Sequence, residues 1–216
     1  MEEKIYISLS GLIGAGKTTL AKRLAEKLKL PVYHESVQDQ ELLNKFYRKP
    51  KKYAFVLQYK LLNDRYEQQQ QIIWSNKGAI QDRSIYEDGV FVKMLYKDGV
   101  LNKDQYDTYN KTFSLMSRNM THPTCIVHLD VTPEEALRRI RLRNREMEKG
   151  ITLEYLTNLN ESYKEFTNDI SKTIPVIFID WSEFYEDDID FIANAILDTI
   201  QNITKIHRLD LKELSK

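Results

Sequence analysis

The chain has 216 residues, enough for one α/β domain with a substantial core. Basic and acidic residues number 32 each, and the resulting net charge of zero argues against a protein that works on nucleic acid or on an anionic membrane. Apolar runs fall short of the roughly 18 residues that a membrane-spanning helix needs, and the single cysteine, Cys125, excludes an internal disulfide framework. We therefore expect a single domain in the reducing cytoplasm, with neither nucleic acid nor membrane as a partner.

The first predicted strand, Ile5–Leu9, leads into a glycine-rich loop. Residues 11–18, Gly-Leu-Ile-Gly-Ala-Gly-Lys-Thr, fit the phosphate-loop pattern G-x-x-x-x-G-K-[ST] at every fixed position. Apolar residues then recur at helical spacing, which predicts a helix that starts near Lys17. A glycine turn that merely joins a strand to a helix is the alternative, but strand, loop and helix together are the context that the motif requires.

The residue types of this loop suit the chemistry of a phosphate. Glycine lets successive backbone N–H groups point inward without a Cβ clash, and the start of the helix adds the positive end of its dipole. The pattern assigns the Lys17 ammonium to the outer phosphates of a nucleotide and the Thr18 hydroxyl to Mg²⁺. The predicted nucleotide-binding residues of the loop are Gly11, Gly14, Ala15, Gly16, Lys17, Thr18 and Thr19.

A second short strand is predicted over 31–34 and ends at Glu35. In an open α/β sheet, a carboxylate at the C-terminal end of a strand sits where ligands bind. Two helices are predicted next, over about 38–47 and 53–74, and Pro50 separates them.

The longer of these two helices carries a pair of polar residues on one face. Gln58 and Arg65 are seven residues apart, which corresponds to two helical turns. The spacing alone leaves two interpretations open, because the pair belongs either to a binding site or to the ordinary polar surface.

A third predicted strand, over 78–81, is followed by Asp82, Arg83 and Ser84. An acid directly after a buried strand is the usual place for a second Mg²⁺-directed carboxylate in a phosphate-loop protein. Arg83 beside it could contact the transferring phosphoryl group. A solvated ion pair is the alternative.

The second half of the chain continues the alternation of helices and strands. The predicted elements are helices over about 85–98 and 103–119, a strand over 125–130, a helix opened by a capping box at Thr132, a helix over 153–170, a strand over 175–180 and an amphipathic helix from Ile189 to Ile200. The charged tail, 205–216, is expected to fray. Five strands that alternate with helices predict an α/β fold, a parallel sheet with helices on both faces.

The helix after Thr132 is rich in arginine. Arginines at this density near one end of a helix could close over phosphates as a lid. A solvated helix face balanced by Glu146 and Glu148 is the alternative. The arginines are Arg138, Arg139, Arg141, Arg143 and Arg145.

The D-x-x-G and N-K-x-D motifs of GTP switch proteins are absent, so the features above favour a small-molecule kinase. Over about residues 5–180 the chain resembles the deoxynucleoside kinase family, which includes deoxycytidine, deoxyguanosine and bacterial deoxyadenosine kinases. The resemblance implies a single P-loop kinase domain with an arginine-rich lid over about 141–150. The segments that carry it are 81–88 (QDRSIYED), 139–145 (RIRLRNR), 148–151, 153–155 and the stretch from Phe46 to Arg65.

The resemblance also implies catalytic roles. Glu35 matches the general base for the sugar 5′-hydroxyl, although Ser36 follows it where the family usually has proline. Arg83 matches an arginine close to the 5′-oxygen. The implied catalytic residues are Glu35, Arg83, Lys17, Arg143 and Arg145; Arg139 and Arg143 join the loop in binding the nucleotide, and Thr18 and Asp82 hold the metal.

For the acceptor, Tyr47 and Glu148 match the pair that binds the 3′-hydroxyl, and Gln58 matches the residue that contacts the nucleobase edge. Arg65 and Asp88 match a pair found in kinases of deoxycytidine and purine deoxynucleosides rather than of thymidine. Val92 stands where many members carry a stacking phenylalanine, with Phe91 adjacent. The implied substrate-binding residues are Glu35, Tyr47, Gln58, Arg65, Arg83, Asp88 and Glu148.

We therefore expect an ATP-dependent deoxynucleoside 5′-kinase of nucleotide salvage, with Mg²⁺ as cofactor, that prefers purine deoxynucleosides, deoxycytidine or both over thymidine. The resemblance further implies a homodimer and inhibition by a deoxynucleoside triphosphate. The alternatives are a nucleoside monophosphate kinase of the thymidylate-kinase type and a nucleotide-sensing module without turnover. Glu35 favours the first hypothesis, since a monophosphate acceptor needs no base there.

Overall fold

A computed structural model describes residues 4–35, 40–183 and 189–204 of the chain. All strand pairings in it are parallel, which confirms the predicted five-stranded parallel sheet. The strands are β1 (Tyr6–Gly11), β2 (Val32–Tyr33), β3 (Ala79–Asp82), β4 (Cys125–Asp130) and β5 (Val176–Asp180). Their order across the sheet is β2-β3-β1-β4-β5. Ser36 and the tail over 205–216 lie outside the described residues.

The helices within the described residues are α1 (Lys17–Leu28), α2 (Gln40–Arg48), α3 (Pro50–Ser75), α4 (Asp88–Lys97), α5 (Lys103–Ser117), α6 (Pro133–Arg143), α7 (Leu153–Ile170) and α8 (Ile189–Thr204). Two short 3-10 turns, Ile85–Glu87 and Glu146–Glu148, precede α4 and follow α6. Several helix bounds differ from the predicted ones by a few residues. The helix α3 begins at Pro50 rather than near residue 53, because proline is well tolerated in the first turn of a helix.

The register of the sheet brings the carboxyl ends of β1 and β3 together. Leu9 of β1 pairs with Asp82, which is the last residue of β3 rather than the residue after it. Tyr33 of β2 pairs with Gln81, so the residues that follow β2 lie beside the end of β3. The chain leaves β1 toward one edge of the sheet and β4 toward the other, an arrangement that opens a ligand-binding crevice at the carboxyl ends of the strands.

An apolar core surrounds the central strands. Ile7 and Leu9 of β1 and Val127 of β4 are fully buried. The helix α1 packs against β1, β3 and α8, whereas α7 packs against α4 and α6. None of the described helices is both long and apolar enough to cross a membrane.

Candidate active site

The glycine loop between β1 and α1 turns tightly because its glycines adopt backbone conformations that other residues rarely take. Gly14 has φ +83°, and Gly16, which directly precedes α1, has φ +100°. A Cβ on Gly14 would lie 2.7 Å from the carbonyl oxygen of Ala136, so α6 packs directly on the loop. Because α1 starts at Lys17, the positive end of its dipole faces the loop.

Lys17 is buried at the base of this loop. Its Nζ donates hydrogen bonds to the carbonyl oxygens of Gly11, at 3.0 Å, and Leu12, at 2.8 Å. Burial lowers the pKa of Lys17 to about 8, and the charge of Arg83 adds to this effect. Gly11 therefore contributes through its carbonyl group, as the last residue of β1, and does not itself face the crevice.

A hydroxyl and a carboxylate meet where α1 begins and β3 ends. Thr18 Oγ1 donates a hydrogen bond to Asp82 Oδ2 at 2.5 Å. The other oxygen, Asp82 Oδ1, is buried and has no hydrogen-bond partner within the described residues. Burial raises the pKa of Asp82, although the charge of Lys17 opposes that shift. Two oxygen ligands of this kind suit a hard cation such as Mg²⁺.

Glu35, two residues after β2, lies between two arginines. Its Oε1 accepts a hydrogen bond from Arg65 Nη2 at 2.5 Å, and its Oε2 is 3.3 Å from Arg83 Nε. Burial alone would raise the pKa of this carboxyl group, but the charges of Arg83 and Arg65, with a smaller effect of Lys17, lower it to about 2. The side chain keeps 26% of its exposure, so an ionised carboxylate faces the crevice.

Arg83 is almost completely buried, which excludes a solvated ion pair with Asp82. It has φ +71°, a conformation that costs free energy for any residue except glycine. Its Nη2 donates to the carbonyl oxygen of Gly11 at 3.1 Å, while its Nη1 contacts Glu87 and Tyr163. The side chain is therefore held on every side of its guanidinium group.

The polar face of α3 is buried, so the interpretation of Gln58 and Arg65 as ordinary surface residues is wrong. Gln58 is 3% exposed, and its Oε1 has no hydrogen-bond partner within the described residues. Arg65 is 2% exposed and pairs with Asp88, which is completely buried at the start of α4. Asp88 is thus connected to the crevice through its ion pair with Arg65.

Glu148 organises the segment that follows α6. Arg143 binds its carboxylate with two hydrogen bonds, of 3.0 and 2.6 Å, and Arg145 Nη1 lies 3.7 Å from it. Tyr47 of α2 lies close by, and its pKa is raised by burial and then by Tyr155 and Glu148, so the phenol keeps its proton. The arginines near the end of α6 are thus partly paired rather than simply solvated.

Most of these groups line one cavity of about 780 Å³. A cavity of this size is typical of sites for small molecules and cofactors. Of the site residues that the sequence predicts, all line it except Gly11, Ala15, Asp88 and Arg139. The loop, the Glu35 carboxylate and the buried face of α3 are therefore parts of one site.

Comparison with known proteins agrees with this geometry. The family model for deoxynucleoside kinases matches residues 7–205. The deoxyadenosine kinase of Dictyostelium discoideum is 56% identical over 184 residues, which cover 85% of this chain and 75% of that protein. The deoxyguanosine kinase of the same organism is 36% identical over 195 residues, which cover 88% of this chain and 68% of that protein. The chain belongs to the deoxynucleoside kinase family.

Solved structures of a family member share the fold. The deoxyadenosine kinase from M. mycoides with the products dCMP and a flexible dCDP bound has a TM-score of 0.82 and is 27% identical, with 90% of this chain and 100% of that chain covered. The same protein has been solved with bound dCTP and with bound dATP. The predictions of a P-loop kinase fold and of an ATP-dependent deoxynucleoside kinase, a phosphotransferase, are confirmed at the level of the family.

Arg139, which the resemblance assigns to nucleotide binding, does not line the cavity in this structure. It donates hydrogen bonds to Glu135 Oε1 at 2.7 Å and to the carbonyl oxygens of Ala15, at 3.1 Å, and Trp181, at 2.7 Å. The side chain ties α6 to the glycine loop and to the end of β5. Helical spacing gives the face on which an arginine lies but not the carbonyl groups that it meets.

The aromatic wall of the site is formed in part by Phe91, which precedes the position where many family members carry a stacking phenylalanine. Phe91 lines the cavity, and its ring centroid lies 5.0 Å from Arg83 Cζ, whereas Val92 is fully buried in the core. The sequence interpretation missed Tyr155, Phe46 and other apolar lining residues, since their helical spacing is that of ordinary core residues. It also missed Glu87 and Tyr163; the only sequence signal is that Glu87 lies four residues after Arg83.

Proposed function

We propose that this enzyme transfers the γ-phosphoryl group of ATP to the 5′-hydroxyl of a purine deoxynucleoside or of deoxycytidine, giving the monophosphate. The observation that carries the proposal is that an ionised Glu35, Arg83 and the Lys17 loop line one cavity. The printed names of the relatives, which are deoxyadenosine, deoxyguanosine and deoxyadenosine/deoxycytidine kinases, support the choice of bases.

In the proposed reaction Glu35 accepts the proton of the 5′-hydroxyl as that oxygen attacks the γ-phosphorus. Lys17 leaves the carbonyl groups that hold it and binds the outer phosphates, while Arg83 lies beside the acceptor oxygen. Arg143 and Arg145, on a lid over about 141–150, stabilise the charge that spreads over the transferring group. Arg139 supports the nucleotide site through its bond to Ala15.

For the acceptor, we propose that Tyr47 and Glu148 hold the 3′-hydroxyl, since both line the cavity and lie close together. Gln58 Oε1, which has no hydrogen-bond partner in the described part of the chain, and Gln58 Nε2 make two contacts to the base edge. A buried amide that expects two partners discriminates strongly against a base with a different edge.

Mg²⁺ fits the pair formed by Thr18 and Asp82, because Asp82 Oδ1 is buried and has no hydrogen-bond partner among the residues that the structure describes. Clusters of three or more His, Cys, Asp or Glu ligands are absent from the described part of the chain. Mg²⁺ is commonly held by one or two protein oxygens together with substrate phosphates and water, so this absence agrees with the proposed site. The ion would neutralise charge on the phosphates.

Replacing Asp82 with asparagine should raise the Mg²⁺ concentration for half-maximal turnover by about tenfold or more. The reason is that the amide keeps the shape of the side chain but loses the charge that attracts the cation. Asp64→Asn is the matched control, since Asp64 also lines the cavity but pairs with Lys60 at 3.1 Å. A Mg²⁺ requirement that rises equally in both variants would contradict the assignment.

The proposed function is tested with the four deoxynucleosides, ATP and Mg²⁺, by measuring monophosphate formation with and without a chelator. We expect product with deoxyadenosine, deoxyguanosine or deoxycytidine, least with thymidine, and none after chelation. Diphosphate formed from thymidylate instead would favour a monophosphate kinase. Tight binding of nucleotides without any product would favour the sensing module.

Two further properties implied by the family resemblance are part of the proposal. A deoxynucleoside triphosphate should inhibit by filling the acceptor and phosphate sites together, and the M. mycoides structures with dATP and dCTP support this. We expect dATP, dGTP or dCTP to compete with both substrates in initial-rate kinetics. Failure to compete with either substrate would exclude this mode of inhibition.

The proposed homodimer is tested by sedimentation equilibrium. A measured mass near the 25.6 kDa of one chain would contradict a dimer.

A further inference from the structure

Two buried polar side chains, those of Glu87 and Tyr163, hold one end of the Arg83 guanidinium. Arg83 Nη1 donates to both Glu87 Oε1 and the Tyr163 hydroxyl, and that hydroxyl donates to Glu87 Oε1 at 2.8 Å. All three side chains are at most 2% exposed, and neither Glu87 nor Tyr163 lines the cavity. We call these three residues the Arg83 triangle. Glu87 and Tyr163 therefore lie outside the set of residues that line the site, whereas Arg83 belongs to it.

The triangle joins two parts of the fold that meet at the site. Glu87 ends the 3-10 turn after β3, and Tyr163 lies in the middle of α7, whose first turns carry the cavity residue Tyr155. The Tyr163 ring also packs edge-on against Phe91, which covers the Arg83 guanidinium. The position of Arg83 is therefore coupled to α7 through both a hydroxyl and a ring.

The backbone of Arg83 needs this support. Its φ of +71° is unfavourable for a residue with a Cβ, and such conformations persist only where the surroundings impose them. The N–H group of Arg83 donates to the carbonyl oxygen of Leu9 at 3.1 Å, which fixes the main chain at the end of β1. The triangle fixes the guanidinium end of the Arg83 side chain.

Stability alone is a poor explanation for the triangle. A buried ion pair commonly contributes no more than well-packed apolar side chains of similar volume. Here Glu87 Oε2 is buried without a hydrogen-bond partner within the described residues, which is a further cost. A cluster that is costly in this way is better explained by the orientation that it imposes on Arg83.

We propose that Glu87 and Tyr163 are positioning residues for phosphoryl transfer. With Nη1 fixed in the triangle, the guanidinium keeps its Nε toward Glu35, at 3.3 Å, and its Nη2 toward the start of the glycine loop. These are the two groups between which the acceptor oxygen and the phosphorus meet in the proposed reaction. The inference thus rests on the proposed function of Arg83 and adds two residues that act through it.

The test is Tyr163→Phe, which removes the hydroxyl and keeps the ring. We expect kcat to fall roughly ten- to a hundredfold, because small displacements of a transition-state contact are costly. The KM values for ATP and deoxynucleoside should stay within about twofold, since substrate-binding groups are untouched. Tyr6→Phe is the matched control: Tyr6 is also buried, its hydroxyl donates to Gln81, and it does not line the cavity. Its kcat should be unchanged.

Glu87→Gln is a second variant that tests the positioning role if Tyr163→Phe fails to fold. We expect the same fall in kcat for this variant. In an Arg83→Lys background, where the fork-shaped guanidinium is lost, either change should have little further effect on kcat. Normal kcat in folded Tyr163→Phe or Glu87→Gln would overturn the inference, as would a full additional loss in the Arg83→Lys background. Normal turnover of Arg83→Lys itself would instead refute the proposed role of Arg83.

Discussion

Replacing Glu35 with glutamine should reduce kcat by about two to four powers of ten, because a positioned general base contributes this much to proton transfer. Glutamine keeps the shape of the side chain and an oxygen that can accept from Arg65 or Arg83, but it cannot take a proton. Deoxynucleoside binding should therefore change little, and KM should stay within about threefold. Steady-state kinetics on the preferred deoxynucleoside measures both quantities.

A matched substitution separates loss of the base from loss of a charge. Glu161→Gln removes a surface carboxylate that pairs with Lys164 on α7, and its kcat should match that of the unmodified enzyme. Thermal unfolding of both variants checks that Glu35→Gln remains folded despite leaving two arginines with one counter-charge fewer. A folded Glu35→Gln enzyme with near-normal kcat would mean that another group accepts the proton.

The pH dependence gives a second test of the same residue. The pKa of Glu35 is lowered to about 2 from the ordinary value of 4.5. The carboxylate therefore stays ionised at pH values at which an ordinary glutamate side chain takes up its proton. A lowered pKa keeps the base active above it and removes activity only below it. Hence protonation of Glu35 should cause no fall in kcat/KM for the deoxynucleoside between about pH 7 and pH 5. A loss in that interval that disappears in Glu35→Gln would contradict the assigned environment.

Local patterns explain why much of the fold could be predicted. The glycine loop depends on a continuous run of residues whose spacing is fixed by the backbone conformation that each must adopt. The turn at Gly14 and Gly16 and the start of α1 at Lys17 could therefore be predicted from the motif. The strands β1 and β4 are mostly apolar and almost entirely buried, and the capping residue Thr132 marks the start of α6. The α/β alternation then leaves few possible topologies.

The partners of individual side chains could not be predicted in the same way. Helical periodicity places Gln58 and Arg65 on one face, but the burial of that face depends on tertiary contacts, such as that of Arg65 with Asp88 of α4. Tyr163 lies 80 residues from Arg83 in the chain, so no local pattern connects the two. Arg139 has the expected helical position, yet its guanidinium turns to backbone carbonyl groups that only the folded chain brings near it.

Replacing Arg65 with methionine together with Asp88 with alanine should admit thymidine as a substrate. The family resemblance links this buried pair to base choice. Arg65 lines the cavity and Asp88 pairs with it from behind, with exposures of 2% and 0%. Removing both charges leaves an apolar wall with added space, which tolerates a pyrimidine that carries a methyl group. We expect the ratio of kcat/KM for thymidine to that for deoxyadenosine to rise at least about tenfold.

Loss of Arg65 alone should be more harmful than loss of the pair. Arg65→Met leaves Asp88 as an uncompensated buried charge, which costs about 3–5 kcal/mol of folding stability, whereas Asp88→Ala leaves Arg65 paired with Glu35. The double variant should therefore unfold at a higher temperature than Arg65→Met, a non-additive result that thermal denaturation measures directly. Lys60→Met with Asp64→Ala is the control, since this partly exposed pair on the same helix should give small and nearly additive changes.

The double variant should also keep a working base. Loss of Arg65 removes one of the charges that lower the pKa of Glu35, so that pKa rises from about 2 toward its ordinary value. Arg83 and Lys17 still favour the ionised form, and the carboxylate remains ionised near neutral pH. A folded double variant that turns over deoxyadenosine but still rejects thymidine would therefore show that the pair does not decide the base, because neither unfolding nor a protonated Glu35 could account for the result.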